Sequence, residues 1–264
     1  MGETDQLSKI NQDFNTIDTK SLYITDENKV LFAENENQLF TAASVIKLPI
    51  YLYFFEKVAK NELDLQTKMQ IPTEKIVAGA GIIKILPQKR TWTLEELLHL
   101  MIAISDNTAT NQLIELATMQ KLKSWISENH WNDGIRLERK MMDFTTTKQN
   151  KISAKAAVNI LRKIIELGEL YPDLKETIRR PLYNQQFRSN IAGTLEEAGI
   201  PGLQMLNKTG ELKDIQHDVA FFEYKGNTRF AATLTYNTGL EANATAWMQI
   251  IGKELFSEMI NIKK

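Results

Sequence analysis

The stretch Thr41-Ala42-Ala43-Ser44-Val45-Ile46-Lys47-Leu48-Pro49 is the part of this chain that says most about its fold. It contains the pattern S-x-x-K, and two further short patterns follow it in order, Ser105-Asp106-Asn107 and Lys208-Thr209-Gly210. Each pattern alone is frequent in unrelated proteins, whereas all three in this order are far rarer by chance. The long interval between the second and third patterns leaves room for a helical insertion.

Ser44 and Lys47 are suited to nucleophilic catalysis. A serine hydroxyl is a poor nucleophile until a neighbouring group takes its proton. Residues three apart lie on one face of a helix, which would place the Lys47 amine beside the Ser44 hydroxyl. A lysine acts as a base only when burial or a nearby positive charge lowers its pKa, and Lys208 is a candidate for that charge. The other interpretation is a helix that happens to contain both residues.

The Ser105-Asp106-Asn107 pattern falls between two predicted helices. Ser105 is a candidate to pass a proton to a leaving nitrogen, and Asn107 is a candidate to donate to a substrate carbonyl. Asp106 is expected to hold the loop by bonding backbone N–H groups. The alternative is that these residues only cap the N-terminus of the following helix.

The Lys208-Thr209-Gly210 pattern lies on a predicted strand. Lys208 and Thr209 can bind a substrate carboxylate, and Gly210 lets a substrate approach the backbone closely. The backbone N–H of Glu211 is expected to join that of Ser44 in an oxyanion hole. Alone, the pattern would equally fit a lysine on an edge strand.

Composition limits the classes of function. The 264 residues are 43% apolar and 25% charged, and the net charge of −1 favours neither nucleic acid nor an anionic membrane surface as a partner. The absence of cysteine excludes disulfides and thiolate catalysis. His99, His130 and His217 form no metal-binding pattern, so we expect structural roles for them, with His217 in a turn, and no metal or cofactor. The sequence has no run of roughly 18 apolar residues, so no membrane span is predicted.

The arrangement of apolar residues predicts strands near both ends of the chain and helices between them. Expected strands cover residues 21–25, 29–33, 205–210, 218–224 and 229–236, and expected helices cover 4–18, 44–60, 94–104, 107–117, 153–167 and 240–261. Pro49 predicts a kink in the second helix if it lies past the first turn, and residues 132–152 read as a long loop. We therefore predict an α+β fold. In this prediction, residues 1–60 and 204–264 form a mixed α/β subdomain, and residues 61–203 form an all-helical subdomain inserted into it. The active site is expected at the interface of the two.

The three patterns, with Thr108-Ala109-Thr110-Asn111 and Arg136-Leu137-Glu138-Arg139 nearby, resemble those of class A β-lactamase-like serine hydrolases and penicillin-binding proteins. The resemblance runs from about Leu22 to the C-terminus. It implies the β-lactamase/transpeptidase-like fold, in which helices flank an antiparallel sheet. It also agrees with a catalytic set of Ser44, Lys47, Ser105 and Lys208 and a substrate-binding set of Asn107, Thr209, Gly210 and Glu211.

One departure from the family pattern concerns the step that releases the product. Family β-lactamases carry a glutamate after the Arg-Leu-x-Arg segment, and this glutamate activates the water that hydrolyses the acyl-enzyme. Its place in this chain falls at Met141, and the place of a following asparagine falls at Thr145. Methionine cannot act as a base, so weak deacylation is expected unless Glu138 or Asp143 substitutes.

The resemblance favours a serine hydrolase that forms an acyl-enzyme on Ser44 with β-lactams or related amides and esters. Weak β-lactamase, D-alanyl-peptide carboxypeptidase and small-ester hydrolase activities remain open, as do a penicillin-binding or sensing role and a scaffold without chemistry. The expected partner is a small molecule, and the sequence carries no signal of the oligomeric state. Family members are typically exported, so we expect an exported protein whose signal has been removed, or a cytoplasmic one if Met1 is native.

Overall fold

The computed structural model describes residues 3–86 and 89–261, and its main feature is an antiparallel sheet of five strands. The strands are β1 (Thr19–Thr25), β2 (Val30–Glu34), β3 (Phe40–Thr41), β4 (Lys68–Gln70), β5 (Thr91–Thr93), β6 (Ile135–Arg136), β7 (Lys151–Ile152), β8 (Gln204–Leu212), β9 (Ile215–Tyr224) and β10 (Asn227–Tyr236). The main sheet has the order β2-β1-β10-β9-β8, so strands from both ends of the chain meet in it. β3, β7 and β6 form a second small sheet, and β4 pairs with β5.

Helices cover both faces of the main sheet. They are α1 (Glu3–Asp13), α2 (Lys47–Ala59), α3 (Leu94–Ala103), α4 (Asn107–Ala117), α5 (Met119–Glu128), α6 (Ala154–Leu170), α7 (Pro172–Tyr183), α8 (Gly193–Ala198) and α9 (Glu241–Asn261). α1 and α9 pack together, and α9 lies on β9 and β10, whereas α6 lies against β1, β9 and β10. The predicted α+β fold, an antiparallel sheet flanked by helices, is confirmed.

Alternation along the strands builds two apolar cores, one on each side of the sheet. Leu22 and Phe222 pack in a cluster with Trp247 of α9, whereas their chain neighbours Tyr23 and Phe221 pack in the cluster formed with the central helices. Successive side chains of a strand point to opposite faces, so each strand contributes to both cores. Removing this apolar surface from water is the main force that holds the helices onto the sheet.

The start of α2 corrects one expectation. The residues from Ala43 to Ile46 form a short 3-10 turn, and the α-helix begins only at Lys47. Pro49 is therefore the third residue of α2, in the first turn, where the missing N–H removes no hydrogen bond of the helix. The sequence predicts a kink in this helix only if Pro49 lies past the first turn. Because it lies within that turn, the condition for a kink is not met.

The segment 61–203 is mainly helical, but it also carries the β4–β5 pair and the strands β6 and β7. It is therefore not all-helical, because β4 pairs with β5 and β6 with β7 inside the segment, and β7 also pairs with β3 of the N-terminal segment. Thr93 caps α3 and forms a reciprocal capping box with Glu96. Within the part of the chain that the structure describes, no helix is both long enough and apolar enough to span a membrane.

Candidate active site

Ser44 lies in the 3-10 turn that leads into α2. Ala43, just before it, adopts a positive φ of 45°, a conformation that costs a non-glycine residue energy and that clusters at functional sites. The strand β8 passes close to this turn, because a Cβ at Gly210 would lie 3.0 Å from the Ala42 carbonyl oxygen and 3.1 Å from the Val45 nitrogen. The glycine of the third pattern thus brings the edge strand against the serine.

Lys47 is fully buried beneath Ser44. Its Nζ lies 3.0 Å from Ser44 Oγ, 2.6 Å from the Ser105 carbonyl oxygen, 3.0 Å from Ser105 Oγ and 2.9 Å from Asn107 Oδ1. Burial, with a further contribution from the Lys208 charge, holds the pKa of Lys47 well below its ordinary value, against an opposing effect of Asp106. A neutral Lys47 amine has a lone pair that can accept the Ser44 proton.

Lys208 approaches the same group from the opposite side. Its Nζ donates to Ser105 Oγ at 3.1 Å and to the Thr209 carbonyl oxygen at 2.7 Å. Burial lowers the pKa of Lys208 to about 7, although the Asp218 carboxylate acts in the other direction. Ser44, Lys47, Ser105 and Lys208 thus form a continuous chain of polar contacts, the arrangement that the sequence patterns predicted.

The sequence patterns do not point to Asp218. Its carboxyl group is buried, and its charge interacts with that of Lys208. It pairs across the sheet with Thr209, and it accepts hydrogen bonds from Asn207 Nδ2 at 3.0 Å and the Ile191 N–H at 3.2 Å. Burial raises the pKa of Asp218 to about 6, against opposing effects of these bonds and of Lys208. An aspartate in mid-strand gives no sequence signal that it will be buried beside a lysine.

Asp106 organises the loop that borders the site. Its carboxylate accepts from the Ala109 N–H at 2.9 Å, which caps α4, and from the N–H groups of Ile82 and Ile83 at 2.8 and 3.0 Å. Gly81 has a φ of 118°, and a Cβ there would lie 2.2 Å from Asp106 Oδ2, so only glycine fits. The predicted loop-holding role of Asp106 and the helix-capping alternative are therefore both present.

A cavity of ≈ 300 Å³ opens above the buried lysines, and Ser44, Asn107 and Glu211 line it. The Asn107 amide accepts from Lys47 and donates to the Ala78 carbonyl oxygen at 3.2 Å. Two residues before it, Ser105 has a positive φ of 58°. Thr209 is buried in β8. The structure therefore brings the predicted residues of all three patterns to one place, with the serine at the floor of an open cavity.

Glu138 and Asp143, the alternative bases, do not lie among the described residues that line this cavity. Glu138 accepts from Lys123 Nζ at 2.8 Å, and this hydrogen bond lowers its pKa. Asp143 accepts from the Thr145 hydroxyl at 2.7 Å and the Thr145 N–H at 3.0 Å, which lowers its pKa. Both carboxylates therefore have hydrogen-bond partners other than Ser44.

Met141 lines the cavity at the place where the family pattern has a glutamate. Its backbone is fixed from both sides, because the Met141 N–H donates to Asn111 Oδ1 at 2.8 Å and its carbonyl accepts from Asn111 Nδ2 at 3.0 Å. A residue held in this way presents its side chain in a defined position. Asn111 ends the stretch Thr108-Ala109-Thr110-Asn111 that follows the second pattern. Sequence spacing alone does not show that its side chain binds the Met141 backbone.

Asn150 and Gln149 anchor the loop that carries Met141. The Asn150 amide oxygen accepts from the N–H groups of Glu138 and Arg139 at 2.7 and 3.0 Å, and its backbone carbonyl accepts from the Ala42 N–H at 2.8 Å. The Arg139 guanidinium donates through Nη2 and Nε to Gln149 Oε1, at 2.9 and 3.3 Å. The neutral amide oxygen of Gln149 therefore accepts both of these hydrogen bonds from the charged Arg139 guanidinium.

Replacing Gln149 by glutamate is expected to stabilise the fold by about 1 kcal/mol at pH 7, because the bonds from Arg139 become charge-assisted in a half-buried site. The introduced carboxyl would have a folded-state pKa below its unfolded value. Its contribution is therefore present above the unfolded pKa and lost as the pH falls through the folded one. Thermal unfolding should show a Tm rise of about 2 °C at pH 7 that vanishes near pH 3. An equal rise at both pH values would contradict the charge-based explanation.

His217 is not in a turn, as expected, but buried in mid-strand in β9. Its Nδ1 lies 2.7 Å from the Gln216 carbonyl oxygen and 3.1 Å from the Thr235 nitrogen, and its Nε2 lies 2.8 Å from the Thr41 carbonyl oxygen. Burial lowers the pKa of His217 to about 4. The neutral ring connects the main sheet to β3, just ahead of Ser44.

Among the described residues, no group of three or more histidine, aspartate or glutamate side chains is placed to hold a metal ion.

Comparison with known proteins gives a consistent result at the level of family. The sequence model of a family described as "Beta-lactamase enzyme family" matches residues 4–259. A segment of 136 residues is 25% identical to β-lactamase VEB-1 from Pseudomonas aeruginosa, covering 49% of this chain and 45% of that protein. The chain thus matches about half the length of this curated relative.

Two solved structures share the fold. A β-lactamase from Sphaerobacter thermophilus DSM 20745 has a TM-score of 0.87 and 23% identity, and the match covers 98% of this chain and 99% of that one. A variant of PBP-A, solved as an acyl-enzyme complex with penicillin G, has a TM-score of 0.81 and 22% identity, with 98% and 97% covered. At these identities the likeness shows the fold alone.

Proposed function

Because the chain belongs to the β-lactamase enzyme family, we propose that it is a serine hydrolase of the β-lactamase type that forms an acyl-enzyme on Ser44. Its substrates are β-lactams or related amides and esters. The observation that carries the proposal is the contact of 3.0 Å between the buried Lys47 amine and Ser44 Oγ, continued through Ser105 to Lys208. A nucleophile beside a base whose pKa is lowered, at the floor of an open cavity, is suited to covalent catalysis.

Acylation moves the Ser44 proton through Lys47 and Ser105 to the leaving nitrogen. Neutral Lys47 takes the Ser44 proton while Oγ attacks the substrate carbonyl carbon, and the backbone N–H groups of Ser44 and Glu211 stabilise the oxyanion. As the carbon–nitrogen bond breaks, Ser105 gives its proton to the leaving nitrogen and regains one from Lys47. Lys208 supplies positive charge for a substrate carboxylate beside Thr209.

In the proposed reaction, deacylation is the slow step. Hydrolysis needs a group that takes a proton from water as the water attacks the ester, and the Met141 thioether cannot do so. Glu138 and Asp143 are bound to Lys123 and Thr145 instead. This same observation favours the second candidate function, a penicillin-binding or sensing protein, or a D-alanyl-peptide carboxypeptidase that releases bound antibiotics slowly.

Intact mass measured over time after mixing with benzylpenicillin tests the proposal, with Ser44→Ala as the matched control. We expect one adduct with the full mass of the drug, since ring opening releases no fragment, and its persistence for hours. Ser44→Ala should form none. An adduct on both proteins, or intact drug with no adduct on either, would overturn the assignment of Ser44. Rapidly hydrolysed drug would retain the hydrolase but refute weak deacylation.

A further inference from the structure

Two loop segments form walls of the Ser44 cavity. The first wall is residues 75–81, between β4 and β5, and the second wall is residues 140–142, between β6 and β7. Gly79 of the first wall and Met142 of the second both line the cavity. A Cβ at Gly79 would lie 3.1 Å from Met142 Sδ, so the two walls come close together there. The shape of the cavity therefore depends on how each wall is held.

Helix α4 holds the backbone of both walls through uncharged side chains. In the first wall, the Val77 N–H donates to Thr108 Oγ1 at 3.1 Å. In the second wall, the Asn111 amide accepts from the Met141 N–H at 2.8 Å and donates to the Met141 carbonyl oxygen at 3.0 Å. Residues three or four apart lie on the same face of a helix. The face that carries Thr108 and Asn111 therefore continues to Glu115, in the same helix.

The Glu115 carboxylate binds both walls by charge. Its Oε2 lies 2.5 Å from Lys75 Nζ, and its Oε1 lies 2.7 Å from Lys140 Nζ. Each oxygen of one carboxylate thus binds one wall, and Lys140 directly precedes Met141. The Glu115 side chain is 29% exposed, so water and salt screen these two ion pairs only in part.

Sharing one carboxylate couples the two walls. A single exposed ion pair adds little to stability, whereas the loss of a shared carboxylate removes the charged contacts of both walls at once. The reacting groups depend on other contacts, because Lys47 Nζ and Lys208 Nζ both bind Ser105 Oγ. Loss of the Glu115 charge is therefore expected to loosen the walls and to leave the reacting groups in place.

We propose that Glu115 is a positioning residue that fixes the two walls relative to each other and thereby sets the affinity of the cavity for an acyl donor before Ser44 reacts. This inference rests on the proposed function. Glu115 acts through Lys75 and Lys140, since it is not among the described residues that line the cavity. The step that it affects is noncovalent binding, because walls that are already ordered lose less conformational freedom when a ligand binds.

Hydrogen exchange read by mass spectrometry tests the contact itself, in the wild-type protein and in Glu115→Gln, which keeps the shape and removes the charge. We expect backbone amides of both walls to exchange about two- to fivefold faster in the variant. Lys75→Met should speed exchange in the first wall alone, and Lys140→Met in the second wall alone. Glu62→Gln is the matched control, because it removes an ion pair of 2.7 Å with Lys57 whose residues do not line the cavity. It should leave both walls unchanged.

Acylation kinetics test the consequence for the substrate. The rate of adduct formation at several benzylpenicillin concentrations separates the dissociation constant of the noncovalent complex from the rate constant of acylation. In Glu115→Gln we expect the dissociation constant to rise about threefold or more and the acylation rate constant to stay unchanged. At high salt the ratio of the two dissociation constants, variant to wild type, should fall because the ions screen both pairs.

Four results would overturn the inference. Exchange at the wild-type rate in both walls, or faster exchange in only one of them, would show that Glu115 does not couple the walls. An unchanged dissociation constant would show that the walls do not set affinity, and a slowed acylation step would place the influence of Glu115 on the reacting groups. If the wild-type protein is not acylated at all, the proposed function fails and the role in affinity with it, while the exchange rates still decide whether Glu115 holds the walls.

Discussion

Replacing Lys47 by methionine is expected to slow the acylation of Ser44 by benzylpenicillin by about 10²- to 10⁴-fold, the usual contribution of a general base. Lys47 Nζ is the basic atom in contact with Ser44 Oγ at 3.0 Å, and methionine has a similar length but no proton acceptor of useful strength. The rate constant for adduct formation, measured by intact mass, checks this expectation.

The pH dependence separates loss of the base from loss of the fold. In the wild-type protein the acylation rate should rise with pH as Lys47 loses its proton, and this rise should begin well below the ordinary lysine pKa, because burial lowers it. The residual rate of Lys47→Met should lack that rise. Circular dichroism and thermal unfolding establish that the variant is folded. A folded variant that reacts at the wild-type rate would show that another group deprotonates Ser44.

Replacing Met141 by glutamate is expected to accelerate deacylation by about 10²- to 10⁴-fold. The side chain lines the Ser44 cavity, and Asn111 fixes its backbone through two hydrogen bonds at 2.8 and 3.0 Å. A carboxylate introduced there can take a proton from a water molecule that attacks the acyl-enzyme. The lifetime of the benzylpenicillin adduct should shorten by this factor.

Met141→Gln is the matched control, because glutamine has the same shape as glutamate but cannot accept the proton. It should leave the adduct long-lived. If glutamate and glutamine shorten the lifetime equally, the change reflects access of water rather than general-base catalysis. If neither variant changes the lifetime, the base belongs at another position of the loop.

The patterns that could be predicted from the sequence are those whose cause is local. The arrangement of apolar residues predicts a helix over residues 107–117, and the structure has the helix at these bounds with Asp106 as its N-cap. The contact of Lys47 with Ser44 follows from their separation of three residues. The alternation of apolar residues in the last two long strands likewise predicts β9 and β10 with small differences at their ends.

What could not be predicted depends on contacts between distant segments. β3, β6 and β7 have two residues each, too few for any periodicity to appear, yet they join the loop of the site to the strand ahead of Ser44. Asp218 becomes buried because Asn207 and the Ile191 N–H meet it from elsewhere in the fold. The position of such groups is decided by tertiary packing.

The pairing of β1 with β10 has a consequence for how the protein acquires its chemistry. Residues Thr19–Thr25 pair in register with residues up to Tyr236, so this inner pair of the sheet closes one of the longest loops that the chain allows. Contacts so distant in sequence form slowly and late in folding. Ser44 and Lys47 are neighbours from the start, whereas Lys208 reaches Ser105 only when β8 docks. Covalent labelling by a penicillin would therefore report the completion of folding, and the growing chain on a ribosome would not react before its last strands emerge.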